Sequence, residues 1–554
     1  MNPNLFRFDS LSMLVGVSAG LFFLLILLYS SGYMRGRKGL VRYYLYTVLT
    51  FVASLGVIFA NNVILFLVFW GFLGLLLCLL IAVGRKDRAA ETARKTLIIV
   101  GGADAFMLLG VAMVWRLAEV ATPWDLTMDS TRIALTGGKA VAAYLCLAAG
   151  ALAKAGAMPF HTWVPDTAED APVPVTAYLP ASLDKLLGIY FLARISLEMF
   201  QMSTTMNTVL MGVGSFTIIA AVMMALVQHD LKRLLGYHAV SQVGYMVLGI
   251  GTGNPIGIAG GLFHMLNNAI YKSCLFLAGG VVEKSAGTSD LDRLGGLAGV
   301  MPITFGPFLI ASLAISGVPP FNGFASKWLI YQGIIEVGKN GDVLWILWLS
   351  AAMFGSALTL ASFMKLVHAV FLGQPSPARK RKENGAWKTG PTLWIPPVIL
   401  GILCVAFGVF AAALPLRFFI YPSVPGEIVP AGIWGSGWAA IMILIGLGIG
   451  LAIYLLGTLR KTRTVEAFVG GEILEEHPEM RVSGVDFYQT IQNLGILKLI
   501  YDAADRKFFD IYEVGRKTVL GCSRLAGSLH NGLLPRYIVW YLLGMAILFY
   551  VLMG

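Results

Sequence analysis

Apolar residues in this chain come in long runs, and polar residues gather in the short stretches between them. The runs fall at 11–31, 40–60, 62–83, 97–117, 138–158, 174–200, 206–228, 234–251, 255–281, 303–335, 343–372, 393–415, 430–457 and 536–553. A helix that crosses a bilayer needs about 20 predominantly apolar residues, so the pattern predicts an all-α, polytopic membrane protein with about 14 transmembrane helices. After the thirteenth run the pattern changes. In DFYQTIQNLGILKLIYDAADRKFFDIYEVGRKTVLG, apolar positions recur at helical spacing, with Asp502, Asp505, Arg506 and Lys507 between them. Such a segment lies along the cytoplasmic membrane surface or serves as a strut against neighbouring subunits. Gly495, Gly515 and Gly521 argue against one unbroken rod.

Spans two to six and seven to eleven form two sets of five that start on opposite sides of the membrane. In each set the fourth member carries a proline-aromatic break beside a lysine: Lys154 with Pro159 and Phe160, then Pro319, Pro320 and Phe321 with Lys327. Matched interrupted helices in two inverted halves point to a transport site near the bilayer midplane. The expected organisation is a helix and basic loop at 1–39, a first inverted repeat at 40–200 and a second at 206–373. Transmembrane helices at 374–465, a lateral helix region at 466–535 and a terminal anchor at 536–554 follow.

Charge adds orientation. The net charge of +11 sits in alternate loops. One side holds Arg35, Arg37, Lys38 and Arg42; Arg85, Lys86, Arg88, Arg94 and Lys95; Lys232 and Arg233; Arg379, Lys380, Arg381, Lys382 and Lys388; and Arg460, Lys461 and Arg463. The other side holds little beyond Arg7, Arg132, Lys339 and Arg417. The basic side is expected to face the cytoplasm, with both termini opposite. The positive charge is thus accounted for by topology and implies no nucleic-acid partner. Composition agrees with a membrane chain, at 57% hydrophobic and 13% charged residues. Five scattered cysteines, without a CxxC pair or a Cys/His cluster, predict no cofactor and no metal in this chain, and no catalysis by it alone.

The candidate chemistry lies in polar groups placed inside apolar runs. ALAKAGAMPFHTWVPDTAEDAPVPVTAYLPASLDKLLGIYFLAR holds Lys154, Asp184 and Lys185 and is broken by Pro159, Pro165, Pro172 and Pro174. An ionisable group at membrane depth normally faces a protein or water-lined interior, and irregular backbone there must be satisfied by protein. A lysine near a helix end can alternatively snorkel to the interface. In LFHMLNNAIYKSCLFLAGG, His264, Asn268 and Lys272 recur every four residues, which stacks them along one helix face able to carry a hydrogen-bonded chain. Lys365 and His368, near the inner end of the eleventh span, are either an exit or interfacial anchors. Burial disfavours an ammonium and a nearby acid restores it, so a buried lysine that gains and loses an acidic partner can load and release a proton.

KAGAMPFHTWVPDTAEDAPVPVTAYLPASLDKLLGIYFLAR, HDLKRLLGYHAVSQVGYM, FHMLNNAIYKSCLFLAGG and SGVPPFNGFASKWLIYQG resemble, in order, motifs of a known superfamily. Its members are the proton-translocating, antiporter-like subunits of respiratory complex I, of Mrp cation/proton antiporters and of membrane-bound energy-converting hydrogenases. The resemblance runs from about Leu40 to Gly373, and the DFY and FFDIYEVG segments resemble the hydrogenase branch most. It implies that Lys154 is the central lysine, Lys185 with Asp184 the connecting group, His264 and Lys272 the middle relay, and Lys327 the terminal lysine. Two positions depart from the pattern. The family glutamate expected after Trp70 is Gly71, and the second relay histidine is Asn268. Asp104 matches a family acidic position but is expected near the start of its helix, not as a replacement.

The function implied is proton, or sodium/proton, translocation within a redox-driven complex in the cytoplasmic membrane of a prokaryote. The implied partners are other membrane subunits and a peripheral redox arm carrying iron–sulfur clusters with nickel–iron or flavin. Two other readings stand beside it. One is a membrane subunit of an inorganic-carbon uptake complex paired with a zinc-bearing protein; the other is an inactive structural paralogue locked by Gly71.

Overall fold

A computed structural model describes residues 5–84, 88–129, 132–373, 389–429, 436–456, 484–530 and 532–553, with isolated positions between 470 and 480. Several of the basic loop residues, Arg85, Lys86, Arg379, Lys380, Arg381, Lys382, Lys388, Arg460, Lys461 and Arg463, lie outside the described residues.

Among the described residues the chain is built from helices, with one two-residue parallel pairing of Ile133–Ala134 with Phe200–Gln201. α1 (Ser10–Tyr33) starts at Asp9, whose side chain accepts from the Ser12 amide while Ser12 Oγ accepts from the Asp9 amide. This reciprocal cap satisfies backbone donors that the first helical turn leaves open. α2 (Leu40–Phe59), α3 (Val63–Ala82), α4 (Ala89–Leu117) and α5 (Gly138–Ala155) follow. α6 (Trp163–Asp170), α7 (Val173–Tyr178) and α8 (Asp184–Arg194) complete the first half. The second half comprises α9 (Thr204–Leu226), α10 (Leu231–Gly251), α11 (Pro255–Ala286), α12 (Pro302–Ser316), α13 (Asn322–Lys339) and α14 (Trp345–Val367). α15 (Pro391–Val409) and α16 (Ser436–Leu456) come next.

The two expected breaks are built alike. α5 ends at Gly156 (φ +78°) and α12 at Gly317 (φ +82°), a left-handed conformation that glycine adopts without a steric penalty. The amide two residues past each helix then donates to a carbonyl five residues back, Ala157 to Leu152 at 2.8 Å and Val318 to Leu313 at 3.1 Å. The prolines that follow, Pro159 and Pro319–Pro320, prevent the helix from resuming at once. A third interruption is a π-helical turn at Leu179–Leu183, which holds Pro180 between α7 and α8. The widened turn accommodates a residue without an N–H, and Asp184 and Lys185 emerge directly after it.

Among the described residues, ten helices are long and apolar enough to cross a membrane. The four remaining predicted runs are helical too, but α7–α8 and α12–α13 are interrupted, and α10 and α11 fall short in apolarity. These four carry about half of the buried polar groups among the described residues. α10 and α11 are buried along nearly their whole length, packed against α9, α13 and α15. A helix that meets protein on every side needs no lipid-facing stripe, so its sequence is free to carry polar residues. Close packing is allowed by small residues: a Cβ on Gly214 would lie 2.7 Å from the Gly244 carbonyl oxygen. An apolar cluster of Met211, Ile218, Tyr245, Leu248, Ile330, Ile334 and Trp348 fills the space between α9, α10, α13 and α14.

Residues to Leu494 form one compact unit; Gly495–Gly554 cluster as a second. The second unit holds α17 (Gly495–Asp505), α18 (Ile511–Leu529) and α19 (Leu534–Met553). The lateral region is interrupted at 493–494, directly before Gly495 as expected, whereas Gly515 and Gly521 lie inside α18. A second break falls at 506–510, where Lys507 takes φ +57° and Asp510 caps α18 by accepting from the Tyr512 amide. A new N-cap ends the preceding helix more firmly than an isolated glycine does.

Candidate ion-translocation axis

Lys154 lies on the last turn of α5 and is fully buried. Its Nζ sits 5.2 Å from the ring centroid of Trp70 on α3, and it has no hydrogen-bonding group among the described residues. Trp70 is fixed by Phe66 and Phe191, whose ring centroids lie 5.2 and 5.3 Å away. α8 approaches α5 through Gly188, where a Cβ would lie 2.6 Å from the Ala155 amide nitrogen. That contact brings Asp184 and Lys185, one turn earlier, to the same buried region as Lys154. Asp184 is close enough to interact with both lysines electrostatically. Lys185 Nζ lies over Gly156, 3.0 Å from where a Cβ would be, and 5.7 Å from the Trp163 ring. It therefore sits at the carbonyl end of α5, where the helix dipole favours a cation.

The second break repeats that relation. Lys327 on α13 donates to the Ile315 carbonyl at 2.9 Å, in the last turn of α12, and its Nζ lies 4.6 Å from the Tyr245 ring centroid. Lys365 uses a third helix end, donating to the Leu226 and Gln228 carbonyls at 2.6 and 3.2 Å where α9 terminates. Three buried or nearly buried ammonium groups thus meet helix C-terminal ends, which supply partial negative charge without a carboxylate.

The α11 stripe fans out instead of acting on one neighbour. His264 Nδ1 is 2.9 Å from Ser326 Oγ, and its Nε2 is 3.1 Å from Gln242 Oε1 and 3.3 Å from Tyr271 Oη. Asn268 Nδ2 donates to the Ala181 carbonyl in the π-helical turn at 3.3 Å. Lys272 Nζ donates to the Leu235 carbonyl at 2.8 Å between the rings of Phe276 and Phe363. Asn268 therefore links the Asp184–Lys185 turn to α11, and His264 links α11 to α13. Asn268 Oδ1, Asp184 Oδ2, Lys154 Nζ, Lys185 Nζ and Tyr178 Oη are buried with no hydrogen-bond partner among the described residues.

At the far end of α14, the His368 ring lies 5.1 Å from Phe487, and Tyr488 Oη donates to the Ala361 carbonyl at 2.9 Å. The segment 484–488 therefore lies against the Lys365 and His368 end of α14.

Several members of this network carried no role in the sequence pattern. His238 and Gln242, four residues apart on α10, face Ser362 (2.7 Å) and His264 respectively. Their spacing within HDLKRLLGYHAVSQVGYM was the available signal. Across α11 and α13, Asn267 Nδ2 donates to the Asn322 carbonyl at 2.9 Å and Asn322 Nδ2 donates to Asn267 Oδ1 at 3.0 Å. Asp104 requires a correction: it lies midway along α4, not near its start, and its Oδ1 accepts from Trp70 Nε1 at 2.8 Å. Gly71 faces outward and is exposed, and a Cβ there would meet nothing within 4 Å.

A bundle of crossing helices, two of them broken alike around buried lysines, is the architecture of an antiporter-like membrane protein. The chain belongs to the NADH:quinone oxidoreductase/Mrp antiporter transmembrane family, whose model matches residues 60–359. Similar curated proteins include two Na(+)/H(+) antiporter A1 subunits. That of Staphylococcus saprophyticus is 32% identical over 75% of this chain and 53% of its own length. That of Staphylococcus epidermidis is 33% identical over 70% of this chain and 50% of its own length. The chain spans about half the length of the curated relatives it matches. Its fold is similar to a chain of the Mrp complex from Dietzia sp., with TM-score 0.66 and 22% identity over 76% of this chain and 84% of that one. It is also similar to a chain of the membrane-bound sulfane sulfur reductase, an archaeal respiratory membrane complex. There the TM-score is 0.81, with 23% identity over 98% of this chain and 88% of that one.

Proposed function

We propose that this chain is an antiporter-like subunit that moves protons, or sodium in exchange for protons, across a prokaryotic cell membrane, within a larger redox-driven complex. The observation that carries the reading is the file of buried bases, Lys154, Lys185, Lys272, Lys327 and Lys365, with His238 and His264 between them. Each of these lysines apart from Lys154 is seated on a helix end or a backbone carbonyl. An ammonium held by partial charges alone is less firmly paired than one in a full salt bridge, so it can give up its proton when a neighbouring charge changes. Support for a redox partner comes from the likeness in fold to a respiratory complex along almost the full chain. Iron–sulfur clusters, and nickel–iron or flavin, would belong to those partner subunits.

The test uses the native complex purified from its host and reconstituted in liposomes containing a pH-sensitive dye, driven by whatever gradient or electron donor supports wild-type flux. Lys154→Ala is expected to lower proton flux by roughly tenfold or more, the loss typical of removing one proton-transfer group, while the complex still assembles. Unchanged flux with normal assembly would show that the file is not the path. The metal and flavin content of the same preparation identifies the partner: iron with nickel or with flavin supports a redox arm, and zinc alone contradicts it.

A further inference from the structure

We infer that Asp104 is the acid set against Lys154, and that Trp70 is the residue that positions the two. This rests on the translocation function proposed above and deepens it. A fully buried ammonium needs a compensating group, and Lys154 has no hydrogen-bonding partner among the described residues. Asp184 interacts with Lys154 but also with Lys185, so one carboxylate faces two cations. Three further acids of the first half are engaged elsewhere. Asp166 pairs with Lys95 at 2.7 Å, Glu169 with Arg233 at 2.9 Å, and Asp170 accepts from Thr92 at 2.7 Å. Asp104 is a second acid close enough to interact with Lys154 electrostatically.

The link between the two is a single indole. Its Nε1–H donates to Asp104 Oδ1 at 2.8 Å, while Lys154 Nζ lies 5.2 Å from the ring centroid. One edge of Trp70 therefore holds an anion and its electron-rich face attracts a cation. Because the ring is fully buried and packed against the mutually stacked Phe66 and Phe191, the distance between the two charges is set by a rigid body. Space for the carboxylate comes from Gly74, one turn past Trp70, where a Cβ would lie 3.4 Å from Asp104 Oδ2. A side chain at Gly71, by contrast, starts on the exposed face of α3. The acid of the first half is thus carried by α4, not by α3.

The experiment is the liposome assay with the complete complex carrying Asp104→Asn, Asp104→Glu, Trp70→Phe or Lys154→Ala. An opposite charge nearby shifts a titrating group by about 1–3 pH units, so Asp104→Asn is expected to lower flux at least about tenfold. Asp104→Glu, which keeps the charge, should stay within about threefold of wild type. Trp70→Phe keeps the packed ring but loses the N–H, and is expected to displace the flux–pH profile by about half a unit or more without loss of assembly. If Lys154→Ala abolishes flux while Asp104→Asn leaves it at wild-type level, the Asp104 assignment is overturned and the translocation function survives. If Lys154→Ala leaves flux intact, both fall. Should Asp104→Asn fail to assemble, Trp70→Phe decides: a pH profile identical to wild type overturns the positioning role.

Discussion

Single residues in this protein are placed by what they do to the charge next to them. Lys185, Lys327 and Lys365 each meet the carbonyl end of a helix, and none needs a carboxylate within bonding distance to be accommodated. The contrast is Arg194, buried at the end of α8, which is fully paired. It donates to Asp9 at 2.6 and 2.7 Å and to Glu198 at 2.6 Å, while Arg7 pairs with Asp9 at 2.8 Å and with Glu198 at 2.7 Å. Burial alone would raise the Asp9 carboxyl, but Arg194, the Ser12 amide and Arg7 hold it well below the usual carboxylate range. A carboxyl depressed in the folded state contributes stability above its unfolded value, near 3.9, and loses it only as pH falls through the lower folded value. Thermal unfolding of the detergent-solubilised protein is therefore expected to show no pH dependence from this group between pH 5 and pH 8, where its contribution is full, with destabilisation only in acid. Asp9→Asn should lower stability by about 1–3 kcal/mol at neutral pH, read as a drop in melting temperature, because it strips one charged partner from a buried guanidinium.

Elements are positioned by where helices stop and how closely they approach. Gly188 lets α8 rest on the backbone of α5, with the Ala151 oxygen and the Ala155 nitrogen 2.7 and 2.6 Å from a Cβ placed there. Gly188→Val is expected to cost about 1–3 kcal/mol through overpacking and to push Asp184 and Lys185 away from Lys154. Its signature is a lower melting temperature together with lost flux, whereas Gly437→Ala, with open space around it, should leave both unchanged. The helices themselves were legible in the sequence, since each apolar run is helical over most of its described length. Both breaks were legible as well, because proline leaves a chemical mark. What the sequence did not disclose was the company each residue keeps. Asp104 looked peripheral because nothing in one chain segment says that α4 will lay it against Trp70 on α3. His238 carried no assigned role, because its partner Ser362 comes from α14, more than a hundred residues on. Gly515 and Gly521 looked like breaks, but the cap at Asp510 decided the matter three residues past Lys507.

At the scale of the whole molecule, polarity is sorted by depth. α2, α3 and α4 are apolar and leave much of their surface open, while α10 and α11 hold His238, Gln242, His264, Asn267, Asn268 and Lys272 and leave almost none. That sorting constrains biosynthesis. A helix with several polar and ionisable side chains gains little by leaving the insertion machinery for lipid on its own, at a cost of about 2.5–3.5 kcal/mol per central charge. α10 and α11 must therefore wait beside the machinery until α12, α13 and α14 have been made and can enclose them. With a linker long enough to clear the ribosome, a photo-crosslinker placed on α11 should react with the insertion machinery in a nascent chain that stops at Ala286, and should no longer do so in one that continues to Gly373. The residues that would conduct charge in the finished protein thus also dictate the order in which the ribosome's product can be released into the bilayer.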